Sequence, residues 1–203
     1  IDTGGQEIPG APMGYDVDGE TIYSTTIDGE SMLSAQISIL DNETRNHHPS
    51  DTPDLESAGL IRIRGRSSRY FDKHNYLLRF TDDDGAYADH EVMGMDAHYE
   101  WTLHGPYLDK SLIRNYLWYN IAGEMMEYSP NVRFCEVILN GEYQGLYLMT
   151  ETITNGEDSR VNVSEPIDNS TSTGYVLRLD QGSRTDLKNI NNFTYYAYRI
   201  SRR

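Results

Sequence analysis

The sequence is poor in cysteine, in basic residues and in long apolar runs. Cys135 is the one cysteine among 203 residues, which excludes an internal disulfide and a zinc site built from cysteines. The 17 lysines and arginines stand against 32 acidic residues, so the formal net charge is −15. A phosphate backbone requires a basic surface, so this charge argues against nucleic acid as a partner. No segment approaches the roughly 18 apolar residues that cross a bilayer, and we expect no membrane span.

What the sequence does contain is typical of a folded, β-rich domain. Hydrophobic residues make up 37% of the chain, and 16 tyrosines favour strands over disorder. Positions 1–20 are rich in glycine, proline and acidic residues and predict a linker or an arm lying on the surface. Positions 21–203 are then expected to form one domain. The first residue is Ile1 rather than methionine, so a signal peptide could have been removed.

Several segments predict strands. Positions 21–40 predict a hairpin around the Asp28-Gly29 turn, with AQISIL as its second strand. Positions 61–80 predict two strands joined by a polar loop that starts at Gly65. Positions 132–150 predict a hairpin closed by Asn140-Gly141, a pair typical of a type I′ turn. GYVLRLD, at positions 174–180, predicts a further strand.

One helix is predicted over positions 109–126. Asp109 can cap its start, and the apolar residues that follow recur at three- and four-residue steps, which predicts one buried stripe. The residues of this stripe are Leu112, Ile113, Tyr116, Leu117 and Ile121. The fold class is therefore α+β: a mostly antiparallel sheet over about 21–180 with one helix packed on one face.

The charge of the chain reverses locally at positions 61–80. These positions hold six of the 17 basic residues and one acid, Asp72. The basic residues are Arg62, Arg64, Arg66, Arg69, Lys73 and Arg79. Guanidinium groups beside a glycine and two serines suit an anion such as phosphate, because they offer forked donors, hydroxyls and close backbone approach. The alternative is a solvated strand face whose arginines pair with acids elsewhere in the chain.

Four motifs in order resemble the CotH kinase family, which is named for a spore-coat protein. They are IRIRGRSSRYFDKHNYLLRF, MGM, WTLHGPYLDKSLIRNYLWYNIAGEM and SPNVRFCEVILNGEYQGLYLMTETI, over about 60–155. The resemblance implies an atypical bacterial protein kinase that binds ATP with Mg or Mn and transfers phosphate to serines of partner proteins. It also implies an N-lobe-like fold, an extracellular or cell-surface location, and association with a spore coat or a cellulosome.

The resemblance also implies nucleotide-binding residues. In protein kinases a loop between the first two strands covers the phosphates, a lysine neutralises them, and a helix carries the lysine's partner. Arg114 could instead point outward, Glu151 could be a structural hinge residue, and His74 and His104 could contact ligand or pack in the core. The residues implied for nucleotide and phosphate binding are Arg64, Gly65, Arg66, Ser67, Ser68, Lys73, Arg114 and Glu151.

The family's catalytic and metal-binding aspartates lie in patterns that this sequence lacks. We expect them, and the remaining lobe, beyond Arg203, so no metal ligand is assigned and positions 21–203 are taken as the N-terminal portion of the domain. Phosphoryl transfer depends on metal, positioning and charge neutralisation, so the isolated chain is expected to be inactive or to need a second segment. Asp180 is the one acid considered as a substitute, against a plain turn residue at a strand end.

Two functions compete with a kinase. One is a non-catalytic extracellular module that holds polysaccharide, since exposed aromatic rings stack on sugars. The other is a coat or cellulosome scaffold that keeps the fold without activity.

Overall fold

In the computed structural model the described residues are 1–41, 46–126, 128–154 and 161. Within them the chain forms ten strands, one α-helix and one 3₁₀ turn, Ser67–Tyr70. The strands and the helix are β1 (Pro12–Tyr15), β2 (Thr21–Tyr23), β3 (Leu33–Ile39), β4 (Leu55–Arg64), β5 (Asn75–Thr81), β6 (His90–Val92), β7 (Met95–His98), β8 (Glu100–His104), α1 (Arg114–Met125), β9 (Val132–Leu139) and β10 (Glu142–Glu151). The unit that holds all of these elements spans Ile1–Thr152.

Six strands form one curled antiparallel sheet in the order β3-β4-β5-β8-β10-β9. The pairs β1-β2 and β6-β7 form two small antiparallel sheets of their own. The α+β class with a mostly antiparallel sheet is thereby confirmed. The predicted strand at 174–180 lies outside the described residues.

The first residues of the chain join the two edges of the curled sheet. The amino group of Ile1 donates to the Ile138 carbonyl of edge strand β9 at 2.9 Å. Asp2 exchanges two backbone hydrogen bonds, of 2.9 and 2.8 Å, with Gln36 of the opposite edge strand β3. The start of the segment predicted as a linker or arm is therefore bonded to both sheet edges, which leaves fewer unpaired backbone groups there.

The hydrophobic core fills the inside of the curl. Successive side chains of a strand point to opposite faces, so each strand sends every second residue inward. The inward residues include Ile37, Ile61, Leu78, Phe80, Trp101, Leu103, Tyr147 and Met149, all at most 4% exposed. The outer face is also partly covered, since Leu77, Thr102, Leu148 and Thr150 are buried there.

Helix α1 lies against the outer face through β9. Tyr116 stacks on Phe134 with 4.6 Å between the ring centroids. The helix begins at Arg114 rather than 109, because the Asp109 carboxylate accepts hydrogen bonds from the backbone of Ser111 and Arg114 in a turn that precedes the helix.

The prediction of a buried stripe on this helix is wrong. No residue of α1 is buried, and Ile113 and Leu117 are 50% and 48% exposed. The helix touches the sheet near its edge, so only part of its apolar surface meets the strand beneath it. Spacing identified the helix but could not show how much of its surface the rest of the chain covers.

Of the two hairpins predicted from turn residues, one is confirmed and the other is wrong. Asn140 and Gly141 have φ values of 50° and 81° and connect β9 to β10, as predicted for a type I′ turn. The pairing predicted within positions 21–40 is wrong, because β2 pairs with β1 and β3 pairs with β4. A turn does form at 26–30, but the buried alternate residues of β3 place that strand in the main sheet, which the short β2 does not join.

Candidate functional site

The loop between β4 and β5, residues 65–74, begins with a glycine that cannot be replaced without rearrangement. We call these residues the Gly65 loop. Gly65 has φ +113°, and a Cβ there would overlap the hydroxyl oxygen of Ser68. A short 3₁₀ turn, Ser67–Tyr70, follows. The two strands and the polar loop predicted over 61–80 are confirmed, and the loop places the Ser68 hydroxyl beside Gly65, which directly follows Arg64.

Arg69 belongs to the basic cluster but is turned into the protein. It is 8% exposed, and its Nε donates to the Gly65 carbonyl at 2.6 Å. Its Nη1 donates to the Gly10 carbonyl at 2.6 Å, and its guanidinium carbon lies 4.1 Å from the centroid of the Tyr23 ring. These contacts fix the Gly65 loop to the N-terminal segment, so Arg69 supports the loop rather than offering a free cation.

The outer face of β4 carries positive charge. Arg62 and Arg64 lie two residues apart and therefore on the same face. The pKa of Arg62 is lowered, first by burial and then by the neighbouring guanidinium groups of Arg79 and Arg64. Arg79 forms an ion pair with Glu100, with 2.8 Å between nitrogen and oxygen. For this residue the structure therefore agrees with the alternative drawn from the sequence, in which the arginines pair with acids elsewhere in the chain. Arg64 is exposed at the strand end, beside the Gly65 loop.

Lys73 lies at the other end of the Gly65 loop. Its Nζ donates to the Leu146 carbonyl at 2.7 Å and lies 4.6 Å from the centroid of the Tyr147 ring. Burial lowers the pKa of this amine. An ammonium has three donors and the Leu146 contact uses one of them, so the charge of Lys73 can serve a second acceptor.

His104 ends β8, at the same end of the sheet as the Gly65 loop. Its Nε2 is 3.0 Å from the side-chain nitrogen of Asn115 in α1. Its pKa is lowered by burial first and then by Arg64, with a smaller lowering from Lys73, while Asp109 raises it. His104 therefore lies within electrostatic reach of both ends of the Gly65 loop. Residues two apart in a strand lie on the same face, so His104 lies on the outer face with Thr102. This spacing could have indicated the position of His104 from the sequence.

Arg114 and Glu151 make their described contacts away from the Gly65 loop. The side chain of Arg114 is 71% exposed, and its Nε is 3.6 Å from the Asp109 carboxylate. Glu151 is buried, and its carboxylate accepts hydrogen bonds from the backbone and the side chain of Asn131 at 2.8 and 3.2 Å.

The register of the sheet also separates Glu151 from His104. Glu151 pairs with Trp101, whereas His104 pairs with Leu148, three residues earlier on β10. Three residues span roughly 10 Å along a strand. A nucleotide role for Glu151 or Arg114 stays a prediction.

The described part of the chain assembles no group of three or more His, Cys, Asp or Glu side chains that could hold a metal ion. Asp180, the acid considered from the sequence, lies outside the described residues. Among the helices described, none is both long enough and apolar enough to cross a membrane.

A protein-family model described as CotH kinase protein matches residues 61–200, well over half of the chain. The match starts at the strand that leads into the Gly65 loop and includes Lys73, His104 and helix α1. Among curated proteins, no relative matches the chain.

Proposed function

Since the chain belongs to the CotH kinase family, we propose that it supplies the nucleotide-binding part of a protein kinase that uses ATP to phosphorylate serines of partner proteins. The observation that carries the proposal is the convergence of Arg64, Lys73 and His104 around the Gly65 loop in a chain of net charge −15. An acidic protein that gathers positive charge at one glycine-containing loop offers an anion a local site.

The order of the elements supports the same proposal. β4 and β5 are joined by the Gly65 loop, β8 pairs with β5, and helix α1 follows β8 in the chain. In protein kinases a glycine-rich loop between the first strands covers the phosphates, and the strand and helix that follow complete the site. The Gly65 loop has the corresponding place here.

Within this proposal, the phosphates lie at the Gly65 loop. The guanidinium groups of Arg64 and Arg66 and the hydroxyls of Ser67 and Ser68 are the side-chain donors, and Gly65 permits the close turn. Lys73 adds a further positive charge. Bound ATP would supply the phosphoryl group.

The metal is the part of the proposal that the described residues do not supply. A kinase of this family implies Mg or Mn with the nucleotide, but the described acids are not gathered into a metal site. The groups around the Gly65 loop therefore act on the phosphates through their own charges and hydrogen-bond donors. The catalytic and metal-binding carboxylates are assigned to none of the described residues.

We also propose that the protein acts outside the cell or at its surface, on protein substrates of a spore coat or cellulosome. The motivation is the family resemblance of the four sequence motifs. Fractionation of the source cells would test the location, and recovery of the protein only from cytosol would contradict it.

A polysaccharide-binding module is the second candidate, because tyrosines are exposed beside the Gly65 loop. Tyr15 and Tyr70 are 68% and 59% exposed, and the neighbouring Tyr15 raises the pKa of Tyr70. Exposed rings of this kind stack on sugars.

Calorimetric titration of ATP with Mg or Mn separates the two candidates. We expect ATP to bind with an affinity that falls by at least about tenfold in Lys73→Met, since one charge-assisted contact is lost. Arg133→Met, on an exposed position of β9, is the matched control and is expected to bind like the parent. Binding of plant or cell-wall oligosaccharides with no heat from ATP would contradict the kinase proposal.

A further inference from the structure

The strand and the helix next to the Gly65 loop meet through an uncharged pair. β8, with the sequence EWTLH, contains no lysine, and its outer face carries Glu100, Thr102 and His104. The helix side chain that reaches this strand is Asn115, through its contact with His104. In protein kinases the corresponding strand carries a lysine that contacts the phosphates and pairs with a glutamate of the helix.

We propose that His104, held by Asn115, contacts the nucleotide phosphates together with Arg64, in the place where other protein kinases use a lysine–glutamate pair. The inference rests on the proposed function, because it specifies how the same site recognises its ligand. It assigns a binding role to His104, for which the sequence left ligand contact and core packing open, and a positioning role to Asn115.

The hydrogen bond between the two side chains determines which ring nitrogen faces a ligand. An amide nitrogen is always a donor, so Nε2 of His104 accepts the hydrogen bond from Asn115, and the proton of the neutral ring is on Nδ1. Within the described part of the chain, the Asn115 contact is the one hydrogen bond of the His104 ring. Nδ1 therefore remains as a donor for a phosphate oxygen.

The charges around His104 suit an anion. Arg64 at the end of β4 and Lys73 in the Gly65 loop both disfavour a protonated ring, and Asp109, which precedes α1, favours it. Burial is the largest cause of the lowered pKa, so the ring of the free protein is neutral at pH 7. A phosphate placed between His104 and Arg64 reverses this balance, because its negative charge favours the imidazolium.

Two consequences follow from the sign of this shift. The pKa of His104 rises when the nucleotide binds, so binding takes up protons between the lowered pKa of the free ring and the higher pKa of the bound ring. Nucleotide affinity therefore increases as the pH falls through this window. A His104–Asn115 contact that only anchors α1 to β8 produces neither effect.

The test uses titration calorimetry of the full chain with ATP and Mg, in buffers of different ionisation enthalpy near pH 6.5. The variants are His104→Gln, which keeps a polar side chain but cannot titrate, and His48→Gln, an exposed histidine in a remote loop, as the control. Adenosine is titrated in parallel, because it has no phosphate.

We expect His104→Gln to bind ATP at least about tenfold more weakly, to bind adenosine as the parent does, and to lose the proton uptake. His48→Gln is expected to match the parent in all three measurements. The inference is overturned if His104→Gln binds ATP within about twofold of the parent and takes up the same number of protons. That result leaves the proposed function standing, whereas a parent chain that binds no ATP overturns both.

A second measurement covers the case in which His104→Gln does not fold. The ring protons of His104 can be titrated by NMR in the parent, with and without ATP. A pKa that rises on ATP addition supports the contact, and a pKa that stays where it is in the free protein contradicts it.

Discussion

The guanidinium of Arg69 reaches across 59 positions of sequence to the carbonyl of Gly10, at 2.6 Å. The same side chain holds the carbonyl of Gly65, also at 2.6 Å. One arginine thus joins the N-terminal segment to the loop on which the proposed site depends. The segment that composition presents as a linker is, at Gly10, a support for that loop.

Replacement of Arg69 by methionine is expected to lower the free energy of unfolding by about 2–4 kcal/mol, since the buried carbonyl of Gly10 and the carbonyl of Gly65 both lose a charged donor. Arg69→Lys should recover only part of this, because an ammonium lacks the forked geometry that serves both carbonyls. Urea denaturation followed by circular dichroism measures the change. Arg114→Met is the control, and its exposed pair with Asp109 should contribute no more than about 0.5 kcal/mol. Equal losses for Arg69→Met and Arg114→Met would contradict the support role.

Helix α1 gives a prediction that tests its orientation. Tyr116→Ala should lower the free energy of unfolding by about 1–3 kcal/mol, because the ring stacks on Phe134. Trp118→Ala should stay within about 0.5 kcal/mol, because Trp118 is 66% exposed. Thermal or urea denaturation of the two variants checks this. A Trp118→Ala loss as large as that of Tyr116→Ala would show that another part of the chain covers this face of the helix.

Cys135 should be an unreactive thiol while the protein is folded. Burial raises its pKa to about 12, from 9.0 in the unfolded chain. At pH 8 the folded protein then holds a roughly thousandfold smaller thiolate fraction than the unfolded chain. A thiol reagent should react slowly in buffer and rapidly in denaturant, and equal rates in the two conditions would show that the thiol is accessible.

The same shift has a consequence for stability. Because the pKa of Cys135 is higher in the folded state, the unfolded chain loses its thiol proton at a lower pH than the folded protein does. The contribution of Cys135 to the free energy of unfolding is therefore complete below pH 9 and is lost as the pH rises toward 12. Cys135→Ala should therefore lose part of the alkaline dependence of stability.

Glu151 and Asn131 are expected to behave as a structural pair. Glu151→Ala removes the acceptor of two hydrogen bonds to Asn131 and should lower the free energy of unfolding by about 1.5–3 kcal/mol. The double variant with Asn131→Ala should fall short of additivity by at least about 0.5 kcal/mol. ATP affinity at a temperature where the variant is folded should be unchanged. A fall in affinity without a loss of stability would favour the nucleotide role predicted from the motif.

Local sequence chemistry was enough to predict the parts of the fold that depend on neighbouring residues. Asn140-Gly141 determines its turn through the left-handed conformation that both residues adopt, and Gly65 begins its loop for a related reason. The strand predicted from position 61 likewise matches the end of β4, which the structure begins earlier, at Leu55.

Contacts between distant residues could not be predicted in this way. Nothing near positions 1–3 in the sequence indicates that these residues bond to both edges of the sheet, and nothing near Arg69 shows that its partner is Gly10. The prediction that one stripe of α1 is buried was wrong for the same reason, because periodicity shows which residues share a face but not what packs on that face.

The candidate site was likewise predicted only in part from the sequence. The charge reversal at 61–80 pointed to the Gly65 loop, but only the structure shows that Arg69 donates to backbone carbonyls and that Arg79 pairs with Glu100. His104 joins the site because β8 pairs with β5, a pairing that sequence spacing does not reveal.

Hydrogen–deuterium exchange of the chain with and without ATP and Mg tests the central claim most directly, because it locates the nucleotide as well as detecting it. The account predicts slower exchange in the Gly65 loop, at the end of β8 near His104 and at the start of α1, with β3 and β9 unchanged. Protection confined to other parts of the chain, or no protection while ATP is shown to bind, would contradict a nucleotide site at the Gly65 loop.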